Sequence, residues 1–149
     1  MVIYLYFKNT DDCFKEGALK KTQPSLDLAK KELKRAEKFL KDAFDFKDAD
    51  KEDWAFTSLW WAFFHAGKAL LWKDGVKEKS HICLLMYLSE NYFKTGRLDA
   101  RFSSDLDIMQ SIRKDLQYST VTPEIDRNFD ELYNDCEDFI EKIKKLIES

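Results

Sequence analysis

The run from Trp54 to Trp72, WAFTSLWWAFFHAGKALLW, constrains this chain more than any other feature. Its apolar residues recur at three- and four-residue steps and cover nearly the whole circumference of a helix. An amphipathic helix needs neighbours on one side, whereas a helix apolar all round needs them on every side. The sequence therefore predicts a helix at the centre of a bundle, or one that faces both the core and a second subunit. A single helix can bury only part of its girth against a small bundle, so the surplus points to a homodimer.

The flanking segments read as further helices. The chain has only four glycines and two prolines, and apart from Gly67 inside the central run they fall where helices should end. A short helix is expected over about 10–20, around Phe14, Ala18 and Leu19. Thr22, Pro24 and Ser25 supply cap chemistry for a second helix, which ends near Phe46 and buries Ala29, Leu33, Ala36, Leu40 and Ala43. Asp50, with Asp53 as capping-box partner, opens the central helix, and Gly75 closes it as a left-handed C-terminal residue. A fourth helix over about 78–94 carries Ile82, Leu85, Met86, Leu88 and Tyr92 on its stripe and stops at Gly96. A fifth runs from about Asp99 to Tyr118 with Phe102, Leu106, Met109, Ile112 and Leu116 inward. Thr122–Pro123–Glu124 signals the start of a sixth, whose seam reads Ile125, Phe129, Leu132, Cys136, Phe139, Ile143 and Leu146. No segment alternates with period two over a useful length. The prediction is an all-α, up-and-down bundle of four to five main helices plus a short N-terminal helix, as one domain over residues 1–149.

Charge and cysteine usage narrow the class. Basic and acidic side chains number 25 and 28 and are interspersed, so no global field draws DNA. Cys13, Cys83 and Cys136 are odd in number, widely spaced and free of a C-x-x-C pair, which reads as reduced core thiols of a cytoplasmic protein. The apolar start Met1–Phe7 is too short for a signal peptide or a membrane span. No glycine-rich phosphate loop or H-E-x-x-H is present, and His65, His81, Cys83 and Cys136 match no closed ligand set, so neither cofactor nor metal is expected.

Three pieces, in order, carry a family resemblance. They are Ala62–Phe63–Phe64–His65–Ala66–Gly67–Lys68–Ala69–Leu70–Leu71 followed by Gly75; Lys79–Ser80–His81 followed by Phe93–Lys94–Thr95–Gly96; and Arg113–Lys114–Asp115–Leu116–Gln117–Tyr118. Together they resemble the HEPN family of helical domains over roughly residues 10–147. The resemblance implies a four- to five-helix bundle that dimerises, binds nucleotide or RNA, and works beside a minimal nucleotidyltransferase, often as a toxin–antitoxin pair. One branch of that family consists of metal-independent ribonucleases with an R-x(4–6)-H motif, in which the Arg stabilises phosphate charge and the His assists attack by the 2′-hydroxyl. Here Arg113 is followed at that spacing by Tyr118, Ser119 and Thr120, so the motif lacks its histidine.

The candidate ligand-binding residues are Arg113, Asp115, Tyr118, His65 and Lys68. Arg113 could hold a phosphate with the Tyr118 hydroxyl as second donor, or could pair with an acid inside the bundle. Tyr118 is a poor base at neutral pH, because a phenol titrates near 10. Trp61, His65 and Lys68 share a helix face that could stack and neutralise a nucleotide, the alternative being a satisfied histidine at a helix–helix contact. The leading expectation is a binding or interaction module. The rival is a ribonuclease that uses Arg113 with Tyr118, or with His65 or His81 brought in from elsewhere.

Overall fold

The computed structural model describes residues 7–118 and 127–148. The expectations for the apolar start as far as Tyr6, for the Thr122–Pro123–Glu124 restart and for Ile125 lie outside those residues.

The short first helix, α1, covers Thr10–Lys15. Two long helices follow, α2 over Leu26–Asp48 and α3 over Glu52–Asp74. Ser25 caps α2 by accepting from Leu28 N at 3.1 Å, and the five residues read as its stripe are the five it buries. Asp50 does not cap α3: it sits at φ 58 and terminates the turn after α2, while Lys51 occupies the N-cap without a side-chain bond. A carboxylate residue tolerates the left-handed region. Gly75 takes the expected left-handed cap at φ 77, its N–H shared by Leu71 O and Trp72 O.

α3 is the core. From Ala55 to Leu71 nearly every side chain is buried, and the helix contacts α2, α4, α5, α6 and a β-strand. Its apolar girth is therefore covered within one chain, leaving Trp54, 62% exposed, as the large ring it presents to solvent. Gly67 lets α4 come close, since a Cβ there would stand 2.8 Å from Leu88 Cδ1.

Two short strands, missed by the all-helical reading, join α1 to the end of α3. β1 (Leu19–Lys21) pairs antiparallel with β2 (Val76–Glu78), in the register Leu19↔Glu78, Lys20↔Lys77 and Lys21↔Val76. Three residues are too few for an alternating pattern to register.

α4 runs only from His81 to Leu88 and passes into a π-helical turn over Ser89–Phe93, closed at Gly96. The buried face is Cys83, Leu84, Tyr87, Leu88 and Tyr92, so Ile82, Leu85 and Met86 face a shallow surface hollow instead. The run ICLLMYL is apolar on both faces, and periodicity could not choose between them. The π turn has a structural use. Its i→i+5 bonding stacks residues five apart, so the hydroxyls of Tyr87 and Tyr92 both donate to Asp74 Oδ2, at 2.9 and 2.7 Å. Burial, reinforced by the Asp74 charge, pushes both phenols above their ordinary range.

α5 spans Ala100–Tyr118 and α6 spans Phe129–Glu148. Asn128 opens α6 by accepting from Glu131 N and donating to the Glu131 carboxylate, a reciprocal cap. Arg127 ties the two helices, bonding to buried Asp105 on α5 and to Asp135 on α6 at 3.1 Å. Burial first, then Asp135, raises the Asp105 carboxyl to about 7, and Asp135 is correspondingly lowered by its bonds to Asp105 and Arg127, which overcome its own burial.

The cysteine expectation is corrected. Cys13 and Cys83 form a disulfide across 70 residues, fastening α1 to α4, and only buried Cys136 remains a thiol. The spacing gave no hint because α1 and α4 meet through tertiary packing. Among the described residues, no helix is long and apolar enough to cross a membrane, and no three His, Cys, Asp or Glu side chains cluster to hold a metal.

Candidate functional site

The fold brings Arg113 of α5 to the flank of α3. Its guanidinium carbon lies 5.5 Å from the ring centre of fully buried Trp60, and its Nη1 donates to Gln117 Oε1 at 2.7 Å, one helical turn on. Its Nε is buried without a hydrogen-bond partner, and no carboxylate pairs with it among the described residues. A guanidinium presents five donors and stays charged at any relevant pH. Leaving part of it unsatisfied in a half-buried position is costly, unless something outside the chain takes the bond.

Beside it opens a pocket of about 480 Å³, lined by Asp53, Trp54, Thr57, Trp61, Arg113, Leu116 and Gln117. Two indoles, a cation at one wall and a carboxylate at another form a small, chemically mixed cleft of the kind that binds amphiphilic ligands. Thr57 is anchored, donating to Asp53 O at 2.9 Å.

His81, the first residue of α4, stands at the back of this wall. Its ring packs on Phe64 at 4.6 Å, Trp61 at 5.9 Å and Trp60 at 6.1 Å between centres. Trp60 is thus the shared shelf of His81 and Arg113. Burial, and then the positive charges of Arg113, Lys68 and His65, hold the His81 imidazole below its ordinary value, so it is neutral at pH 7. Ser80, not His81, caps α4, accepting from Cys83 N at 3.3 Å.

His65 and Lys68 belong to a different knot. Glu32 of α2 sits 2.6 Å from His65 Nδ1, accepts from Trp72 Nε1 at 3.2 Å, and lies 3.7 Å from Lys68, which also reaches Glu78 at 3.5 Å. Burial alone would raise the Glu32 carboxyl, but the His65 bond, the charges of His65 and Lys68 and the Trp72 bond outweigh it and bring it down. An ionised carboxylate can only accept, so His65 Nδ1 carries the proton and donates. His65 also stacks on Phe39 at 5.3 Å with the rings 7° from parallel, and tilts against Trp61 at 6.0 Å. The face expected to hold a nucleotide is therefore filled by Glu32, while His65 braces Trp61 and Lys68 lies 6.0 Å from the Phe64 ring centre.

Asp115 and Tyr118 do not line the pocket. Residues two and five positions beyond Arg113 fall on other sides of α5, and Tyr118 is 76% exposed. The residue that meets Arg113 is Gln117, at the i+4 spacing a helical reading could have named. Glu32 and the Trp60 shelf carried no local signal.

The sequence profile of the HEPN domain matches residues 29–148. The chain belongs to the HEPN family. That family comprises all-α, nucleotide- and RNA-related modules, and the match spans α2 to α6. In this HEPN domain α1 and β1 precede the matched region, and the disulfide and the β1–β2 pairing fasten them to it. No curated protein matches the chain.

Proposed function

We propose that this HEPN domain is a nucleotide- or RNA-binding interaction module whose ligand seats in the Arg113 pocket. The observation that carries this is the guanidinium of Arg113. It is half-buried over Trp60, unpaired with any carboxylate among the described residues, and borders a cleft walled by Trp54 and Trp61. A phosphate would take the Arg113 donors, a base would stack on the indoles, and Asp53 would accept from the base or sugar. Arg113→Ala is expected to weaken binding of a fluorescent mononucleotide by about ten- to a hundredfold, because a hydrogen bond to a charged group contributes about 1.5–3 kcal/mol. Arg113→Lys should restore little, since the planar fork is lost. Unchanged affinity in Arg113→Ala would sink the reading.

In the same reading the module works as a homodimer beside a minimal nucleotidyltransferase, in a toxin–antitoxin-like pair. Exposed Phe44 is apolar surface that a second copy would cover, and light scattering reads that state. The nucleotidyltransferase rests on the family resemblance, and co-purification of the two proteins tests it.

His81 supports a second reading, a metal-independent ribonuclease in which it supplies the missing base. It shares the Trp60 shelf with Arg113 and is neutral at pH 7, as a general base must be. Metal-free RNA cleavage that disappears in both Arg113→Ala and His81→Gln, with mononucleotide binding retained in the latter, would establish it. A folded wild-type protein that cuts no RNA would remove it.

A further inference from the structure

The β1–β2 ribbon sets three lysines on one face, while Lys21, opposite Val76, falls on the other. In an antiparallel pair, residues directly opposite point to the same side, and residues two apart on one strand do too. Leu19 and Glu78 form the inward pair, Leu19 in the core and Glu78 paired with Lys68. Lys20 and Lys77, directly opposite, form the outward pair. Lys79 continues that face, because its N–H extends the ladder to Ala18 O at 2.8 Å. All three lysines are exposed, and none makes an ion pair among the described residues. Like charges opposed across a strand pair destabilise it. The mutual proximity is close enough that Lys20 first, and Lys77 after it, hold the Lys79 ammonium below its ordinary value, since like charges disfavour the charged form.

A chain of net charge −3, with acids interspersed throughout, has ample material to neutralise such a trio and does not. An uncompensated basic face of this kind fits a polyanion. A protein partner would also want an apolar anchor, and the large exposed apolar residues, Leu26, Leu28, Phe44, Trp54 and Tyr118, all lie outside the ribbon. Ammonium groups on flexible stems suit phosphates as point charges. The face is also close to the candidate pocket. Lys79 is two residues from His81, a span of about 7 Å at most, and His81 packs on Trp61 of the pocket wall.

We propose that Lys20, Lys77 and Lys79 form a docking face for the phosphodiester backbone of a single-stranded polynucleotide, leading to the Arg113 pocket. The proposal deepens the nucleotide- or RNA-binding reading and rests on it, and it makes the ligand a polymer. A lone nucleotide would fill the pocket and leave the ribbon bare.

The test compares a fluorescent uridine dodecamer of RNA with a fluorescent mononucleotide, across a salt series. Each phosphate contact with a single strand adds about 0.7 to the slope of log affinity against log salt. The triple variant Lys20→Gln, Lys77→Gln, Lys79→Gln should lower that slope by about 2. Over a fourfold rise in salt the wild type then loses about twentyfold more dodecamer affinity than the variant. Mononucleotide affinity should not move. Lys20→Glu guards against a folding artefact: it faces Lys77, so the thermal midpoint should rise slightly while dodecamer affinity falls. An equal slope in wild type and triple variant overturns the proposal. So does a glutamate dodecamer peptide that binds as tightly as the RNA, which would assign the face to an acidic protein. If the wild type fails to bind the mononucleotide, the pocket reading fails separately from the ribbon result.

Discussion

Trp60→Ala should lower the free energy of unfolding by about 3–5 kcal/mol, the usual cost of deleting a large buried ring. Trp60 is fully buried at the middle of α3, where it meets Phe64, His81 and Arg113. Domains of this size hold about 5–15 kcal/mol in all, so the loss removes a large share. At about 2–4 °C per kcal/mol the melting midpoint falls by about 6–20 °C. The substitution also removes the surface on which Arg113 rests, so affinity at the pocket should fall even at temperatures where the variant is folded. Trp60→Phe separates the two effects. The indole Nε1 is buried without a partner among the described residues, so losing it deletes an unsatisfied donor and offsets part of the smaller cavity. Trp60→Phe should therefore cost well under half of what Trp60→Ala costs and should keep most of the binding. Equal melting midpoints for wild type and Trp60→Ala would contradict the burial of this ring.

The second large effect is expected at Gly75. A Cβ there would stand 2.6 Å from Thr22 O and 3.0 Å from the Pro24 ring, on a backbone held at φ 77. Around that point the chain is locked: Thr22 N bonds to Gly75 O at 2.8 Å and Ser25 N to Trp72 O at 2.9 Å. The left-handed conformation alone costs an alanine about 1–2 kcal/mol, and the clash falls on backbone, which cannot swing aside. Gly96 is a built-in control, with φ 76 and nothing within 4 Å of a Cβ. Gly96→Ala should show the conformational cost by itself, and Gly75→Ala should exceed it by about 1 kcal/mol or more, in urea unfolding with an unchanged slope. Amide exchange at Thr22 and Ser25 should accelerate in Gly75→Ala alone. Equal losses at the two glycines would mean that the close approach contributes nothing.

The sequence reveals what short-range periodicity and punctuation can encode. The stripe Ala29–Ala43, the inward residues of α5 from Phe102 to Ile112 and the Gly75 stop follow from spacing alone, because one buried face and one stop residue fix them. α4 defeated the same logic, since a run apolar on both faces holds no phase. Partners distant in sequence were invisible for another reason. Glu32 meets His65, and Cys13 meets Cys83, only after the helices have packed, and neither pairing leaves a periodic trace. At the candidate site, Arg113 stood out as a residue type at a family position. Its setting, a shelf of Trp60 with Gln117 as neighbour and His81 behind, came from the tertiary arrangement.

The π-helical turn at Ser89–Phe93 makes chain length itself a structural variable. Such a turn accommodates one residue more than the α-helical path it replaces. A deletion of one residue there would let the turn close as an α-helix and would leave the side chains on both sides of it in phase. Tyr87 and Tyr92 would then stand four residues apart and still share the face toward Asp74, which now accepts from both. Related chains that differ by one residue in this turn would then be expected to keep the acid at position 74, because the turn absorbs the change in length without turning the two phenols away from it.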